Sequence, residues 1–176
     1  MSRSITVVDT NVLLRYFIRD DPEGAQAFDR LRAKARAGEI KLVLLPIVFL
    51  ELGWVLEKFY RLPREDVATY LEAILSAPEI SVEMEGILVE ALSLYRKGIK
   101  LADALLVAWA RAIGAEMIWT FDQKDFRKAA FPHKRPWSFN DIENNPCFFL
   151  PIGIKYPKFS LMEKKNGKLS LLHGNP

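Results

Sequence analysis

Four acidic residues stand alone within uncharged stretches of this sequence, and they are its best candidates for chemistry. Each is the only charged residue over seven or more positions: Asp9 in 4–14, Glu51 in 42–56, Asp103 in 101–110 and Asp122 in 117–123. Because a carboxylate is seldom buried without a partner, four such acids point to a shared explanation. A hard divalent cation provides one, since Mg²⁺ and Mn²⁺ bind oxygen ligands and offset the repulsion between neighbouring carboxylates.

The elements that must position these acids follow from the hydrophobic pattern. The β-branched run Ile5–Val8 predicts a buried strand, and further short strands are expected over 41–44, 80–82 and 117–121. Apolar residues at helical spacing predict the intervening helices, which begin near Asn11 as a cap and at Pro22, Pro46, Pro63, Glu85 and Leu101. Alternation of this kind predicts an α/β fold with a mostly parallel sheet.

The expected elements bring the acids to one edge of the sheet. Asp9 and Asp122 follow strands, and Glu51 and Asp103 lie on apolar helices that must pack on the sheet. Ligands of open parallel sheets bind outside the carboxyl ends of the strands, so we expect the four carboxylates to line one pocket. We expect Asp9 and Asp103 to be the direct metal ligands, with Glu51 and Asp122 as further candidates.

Neighbouring residues complete the candidate site. Neutral side chains that could hold water or phosphate oxygens are Thr10, Asn11 and Thr120, and Asp125 is a further supporting acid. Four cations flank the acid motifs and could contact a phosphate backbone: Arg15, Lys100, Lys124 and Arg127. Each of them could equally be a solvated surface residue.

Each acid also has a purely structural interpretation. Asp9 or Asp103 could cap a helix, Glu51 could face solvent, and Asp122 could form an Asx-turn. A plain solvated turn is the more common role for an acid in the position of Asp125. The two tryptophans set among aliphatic residues at helical spacing, Trp54 and Trp109, are expected in the core.

Composition narrows the class of protein. Of 176 residues, 50% are hydrophobic and 27% are charged, which is typical of a globular domain. A single cysteine, Cys147, excludes an internal disulfide framework and suits a reducing cytosol. The run 42–50 is too short to span a bilayer, so we expect no membrane partner and a cytoplasmic location. The net charge of +3 comes from residues 133–176.

Several segments resemble a known family. Residues 7–16 with Asp9-Thr-Asn11, residues 46–52 with Glu51, residues 101–108 and residues 118–122 resemble PIN domains. Within that superfamily they look most like the VapC-type toxin ribonucleases of toxin–antitoxin pairs. The resemblance covers about residues 4–130, and it depends on all four acids standing in order at these spacings.

The resemblance implies a three-layer α/β/α sandwich and endonucleolytic cleavage of RNA that depends on Mg²⁺ or Mn²⁺. It implies that Asp9, Glu51, Asp103 and Asp122 form the acidic pocket. It also implies a homodimer and a small antitoxin protein as partner. We therefore expect residues 1–132 to form the nuclease domain. Residues 133–176, rich in proline and lysine, could be an extension, an arm that contacts a partner or a disordered segment, and residues 161–172 within them could form a small hairpin.

Three other functions compete with the nuclease interpretation. A non-catalytic RNA-binding or scaffold protein on a degenerate nuclease fold is the main alternative, and the presence of all four acids argues against it. A phosphatase with Asp9 as nucleophile would need an acid at position 11, which is Asn11. A two-carboxylate glycosidase would need aromatic residues clustered about the acids, which the sequence lacks.

Overall fold

The structure, a computed structural model, describes residues 3–19, 21–136, 162–165 and 168–171. Strands and helices alternate along the first two of these ranges. The strands are β1 (Ser4–Val7), β2 (Ile40–Leu44), β3 (Ile80–Val82), β4 (Ile118–Trp119) and β5 (His133–Lys134). The helices are α1 (Thr10–Ile18), α2 (Pro22–Arg36), α3 (Pro46–Lys58), α4 (Arg64–Leu75), α5 (Glu85–Arg96), α6 (Leu101–Ala112) and α7 (Lys124–Lys128).

All the strand pairs of this part of the chain are parallel, as the alternation predicts. Strands β1, β2 and β3 pair in that order, with Ser4 opposite Ile40 and Leu42 opposite Ile80. Strand β4 pairs with β5, with Ile118 opposite His133. Parallel pairing aligns the carboxyl ends of the paired strands, which is where the polar segments begin.

The core lies on one face of the three-stranded sheet. Val8, Leu42, Leu44 and Ile80 point to that face and are at least 90% buried, together with apolar residues of the helices. This burial is the main favourable contribution to folding, because it removes apolar surface from water.

The expectation that β1 is buried is wrong for its other face. Ile5 is 69% exposed and Val7 is 52% exposed, and both line an apolar groove of about 590 Å³ with Val43 and Trp109. Side chains alternate between the two faces of a strand, and within β1 only Thr6, on the face opposite Ile5 and Val7, is partly buried.

The predicted helices are confirmed to within a few residues, and the start signals of α2 work as expected. Asp21 caps α2, since its side chain accepts a hydrogen bond from the Gly24 amide at 3.0 Å, and Pro22 occupies the first position. The prediction that Asn11 caps α1 is wrong, because the helix begins at Thr10 and Asp9 is its N-cap. Trp54, expected in the core, is 60% exposed on α3.

The chain divides into two compact units, residues 1–136 and residues 137–176. The predicted boundary after residue 132 stays a prediction. In the second unit, β6 (Met162–Lys165) pairs antiparallel with β7 (Lys168–Leu171), which confirms the predicted hairpin. Across the described residues, no helix combines the length and the apolar character that crossing a membrane requires.

Candidate active site

Asp9 follows β1 and occupies the N-cap position of α1, but its carboxylate does not cap the helix. Its backbone is extended, as at an N-cap, but its side chain makes no capping hydrogen bond. Instead one carboxylate oxygen accepts a hydrogen bond of 3.2 Å from the Asn11 side-chain amide. Capping therefore does not account for this acid, whose carboxylate remains available to a ligand.

The Glu51 carboxylate is held by Thr10, the residue that follows Asp9 in the chain. The Thr10 hydroxyl donates a hydrogen bond of 2.6 Å to Glu51 Oε2, which joins α1 to α3. Thr10 is buried, with 3% of its surface exposed, whereas Glu51 lies at the surface. The hydroxyl that the sequence offered as a phosphate or water ligand thus holds a carboxylate in place, and Glu51 is not a freely solvated side chain.

The other two acids belong to a second group, built around a lysine. Lys100 Nζ lies 2.9 Å from Asp122 Oδ2, 3.7 Å from Asp125 Oδ2 and 3.9 Å from Asp103 Oδ2. Lys100 is the N-cap of α6 and Asp103 lies in its first turn, while Asp122 and Asp125 come from the segment after β4. One ammonium group therefore lies among three carboxylates.

The loop after β4 presents Asp122 through local hydrogen bonds. The Thr120 hydroxyl accepts a bond from the Asp122 amide and donates one to the Asp122 carbonyl, each at 3.1 Å. Asp122 Oδ1 in turn accepts a bond of 3.3 Å from the Lys124 amide, which is the Asx-turn interaction that the sequence allowed. The turn occupies one carboxylate oxygen and leaves Oδ2 for Lys100.

Asp125 is the most buried of these acids, with 3% of its surface exposed. Its Oδ2 accepts a hydrogen bond of 3.2 Å from the Lys100 amide at the start of α6. The solvated-turn interpretation of Asp125 is wrong, because its side chain is packed against the helix end and satisfies one of its free amides.

The electrostatics of the second group follow from burial and from Lys100. Burial raises the pKa of the Asp103 carboxyl, and its hydrogen bond with Asp125 raises that pKa further. The hydrogen bond from Lys100 lowers the pKa of Asp122, and the same contact raises the pKa of Lys100. The Asp103 carboxyl thus resists ionisation, as expected where burial and neighbouring carboxylates disfavour the charged form.

The donor chemistry of these residues suits a hard divalent cation. Carboxylate oxygens are the ligands that Mg²⁺ and Mn²⁺ prefer, and an ammonium group already lies among those of Asp103, Asp122 and Asp125. Among the described residues, however, no three acidic, histidine or cysteine side chains stand close enough to hold an ion as they are arranged. Metal binding would require these carboxylates to turn and Lys100 to move.

Hydrogen bonds and ion pairs tie the acids into two groups, Asp9 with Glu51 and their neighbours, and Asp103 with Asp122 and Asp125. Asp9 and Asp122 follow strands β1 and β4, whereas Glu51 lies within α3 and Asp103 in the first turn of α6. Convergence of all four acids on one pocket stays a prediction.

The four predicted phosphate-binding cations differ in their surroundings. Arg15 is paired with Asp21 at 2.8 Å, and Lys100 belongs to the acid group. Lys124 and Arg127 are exposed on the short helix α7. The sequence contained one signal for the different role of Lys100: a cation is unfavourable at a helix N-terminus, so Lys100 at the start of α6 needed acidic partners.

Comparison with known proteins identifies the family. The PIN domain model matches residues 6–132. The chain belongs to the PIN-domain family. This membership confirms the expected resemblance and, with the mostly parallel sheet, the α/β sandwich. The PIN domain is also 29% identical over 133 residues to a VapC ribonuclease of Aquifex aeolicus (strain VF5), covering 74% of this chain and 96% of that protein.

The matched region of this PIN domain contains both acid groups. Asp9, Glu51, Asp103 and Asp122 all lie between residues 6 and 132, as do Thr10 and Lys100. The hairpin of β6 and β7 lies outside the match. Any activity shared with relatives is therefore expected to reside in the first compact unit.

Proposed function

We propose that this protein is a divalent-metal-dependent endoribonuclease, the toxin of a toxin–antitoxin pair, that uses Mg²⁺ or Mn²⁺ to cleave RNA phosphodiester bonds. The observation that carries the proposal is the group of three carboxylates about the Lys100 ammonium, at 2.9 to 3.9 Å. Such a group binds positive charge. Membership of the PIN-domain family and the similarity to a VapC ribonuclease support nuclease chemistry for it.

The proposed roles of the residues follow from their surroundings. Asp9 and Asp103 would hold the cation, since one begins a helix after a strand and the other is part-buried in the first turn of α6. Glu51, held by Thr10, would orient the attacking water or join the ligand set, as would Asp122. A bound cation would neutralise charge on the phosphate and lower the pKa of a bound water.

The proposal also specifies partners and location. RNA is the substrate, a small antitoxin protein is the partner, and the active form is a homodimer in the cytoplasm, as the VapC resemblance implies. Light scattering of the purified protein tests the dimer, and co-purification with the product of a neighbouring small gene tests the antitoxin. A monomer at all concentrations would remove the homodimer from the proposal.

Cleavage of RNA tests the reaction itself. The protein should cut single-stranded RNA in Mg²⁺ or Mn²⁺ and stop when EDTA is added. Asp103→Asn should keep the fold, measured by circular dichroism, and lose most activity, because it removes a ligand charge with little change in volume. RNA binding without cleavage, equal with and without Mg²⁺, would favour the non-catalytic alternative, and cleavage that persists in EDTA would falsify the mechanism.

A further inference from the structure

Lys100 is held at an electrostatically unfavourable place. As the N-cap of α6 it stands at the positive end of a helix dipole, where a cation is destabilising. Its ammonium nevertheless turns toward Asp122, Asp125 and Asp103. These three carboxylates are the reason that the side chain lies there.

Lys100 is the main source of positive charge for these carboxylates, with Lys124 acting on Asp122 at longer range. Within the described residues, the ion pairs of Asp103, Asp122 and Asp125 are all with Lys100. The ammonium makes one close contact and two at 3.7 and 3.9 Å, so it lies between the acids rather than in a single salt bridge. An ammonium in this position reduces the electrostatic repulsion among all three carboxylates.

The Lys100 ammonium is also able to move away from the three carboxylates. The Lys100 side chain is 63% exposed, so its ammonium can turn into water without opening a cavity. The carboxylate of Asp125, by contrast, is 4% exposed and cannot reach solvent by rotating. If a divalent cation binds among these acids, the Lys100 ammonium is the group that leaves, and the carboxylates turn toward the cation within the site.

We propose that Lys100 is a built-in counter-charge of the acid group, which neutralises the carboxylates in the metal-free protein and is displaced when a divalent cation binds. Lys100 thereby weakens metal binding and stabilises the metal-free state. This inference rests on the proposed function only in taking Mg²⁺ or Mn²⁺ as the incoming cation. It differs from a role as an RNA contact, in which Lys100 would have no effect on metal affinity in the absence of RNA.

Mn²⁺ titration without RNA tests the inference. Isothermal calorimetry on wild type, Lys100→Met and the matched control Lys97→Met gives the affinities, and thermal unfolding in EDTA gives the metal-free stabilities. Lys97 is an exposed lysine three residues earlier, at the end of α5. Lys100→Met should bind Mn²⁺ about threefold to tenfold more tightly than wild type, a range suited to an exposed charge, and should unfold at a lower temperature in EDTA.

The controls separate this inference from the proposed function. Lys97→Met should match wild type in both measurements, Lys100→Gln should behave as Lys100→Met does, and Lys100→Arg should restore the weaker binding because it keeps the charge. If wild type binds Mn²⁺ and Lys100→Met binds it equally or less tightly, the inference is overturned and the proposed function stands. If none of the variants binds Mn²⁺, both are overturned.

Discussion

The Thr10 hydroxyl and the Glu51 carboxylate, 41 residues apart in the chain, are joined by a hydrogen bond of 2.6 Å. Thr10 begins α1 directly after the N-cap Asp9, so this bond connects the position of Glu51 to that of the first acid. The bond also satisfies a buried hydroxyl, which would otherwise cost free energy.

Thr10→Val should therefore misplace Glu51 while keeping the volume of the side chain. We expect a decrease of about 0.5–1.5 kcal/mol in the free energy of unfolding, since one hydrogen bond is lost, and a clear decrease in the rate of RNA cleavage. Urea denaturation and a cleavage assay measure the two effects. Thr10→Ser keeps the hydroxyl and should restore the rate; if Val and Ser variants cleave equally, Thr10 has no part in positioning Glu51.

The pKa of Asp103 provides a second test. Asp125 raises this pKa through its hydrogen bond and its charge, whereas burial raises it independently of Asp125. In Asp125→Asn the pKa of Asp103 should fall and yet stay above the ordinary value of an aspartate, because burial still raises it. Carbon-detected NMR titration of the side-chain carboxyls measures both proteins, and an unchanged pKa in the variant would show that the two groups do not interact.

Metal binding should depend on pH in the direction set by that raised pKa. A proton on Asp103 competes with the cation, so Mn²⁺ affinity should decline on acidification from a pH above that expected for an ordinary aspartate. In Asp125→Asn the decline should begin at a lower pH. Calorimetric titrations at several pH values measure it, and identical profiles for the two proteins would contradict the assignment.

Glu79 supports the fold at the amino end of β3, directly before Ile80. Its side chain is fully buried before β3, and it accepts hydrogen bonds from Arg32 and, at 3.0 Å, from Arg36. Although burial alone would raise the pKa of Glu79, a hydrogen bond from its own backbone amide and the bonds from the two arginines lower it overall. Glu79→Gln should cost about 1–3 kcal/mol in the free energy of unfolding, because the part-buried Arg32 loses its counter-charge.

The pH dependence of that cost has a definite sign. A carboxyl with a lowered folded-state pKa stabilises the protein above its unfolded-state value and loses that contribution as the pH falls. The difference between wild type and Glu79→Gln should therefore shrink as the pH is lowered through about 4.5. Glu72→Gln, which disrupts an exposed pair with Arg96, is the control and should cost less; equal losses would show that burial is unimportant here.

Contact with RNA should involve the cations of α7 more than Arg15. Lys124 and Arg127 are exposed there, whereas Arg15 is partly neutralised by Asp21. Lys124→Ala and Arg127→Ala should each weaken RNA binding and reduce the slope of log affinity against log salt by about 0.7, the value for one phosphate of a single strand. Fluorescence anisotropy at several salt concentrations measures this, with Arg15→Ala as the comparison; an unchanged slope would remove α7 from the interface.

Much of the fold was predictable from local pattern. Helices were identified from apolar spacing and from Pro22, Pro46 and Pro63, because caps and the fixed φ of proline act within a few residues. The short helix α7 and strand β5 were not predicted, since segments of five and two residues carry too little periodicity. The exposure of Ile5 and Val7 was missed because burial depends on what packs against a strand, and an apolar run does not specify that.

For the candidate site as well, part could be predicted from the sequence and part depended on the tertiary structure. The sequence by itself identified these acids as candidates, because a lone carboxylate in an apolar run is costly unless the fold gives it a partner. Only the tertiary structure decided what the partners are: the Thr10 hydroxyl for Glu51, and the Lys100 ammonium for Asp122, Asp125 and Asp103. Hydrogen bonds and ion pairs depend on distances of a few ångströms between residues far apart in the chain, and these distances arise only when the helices and strands pack.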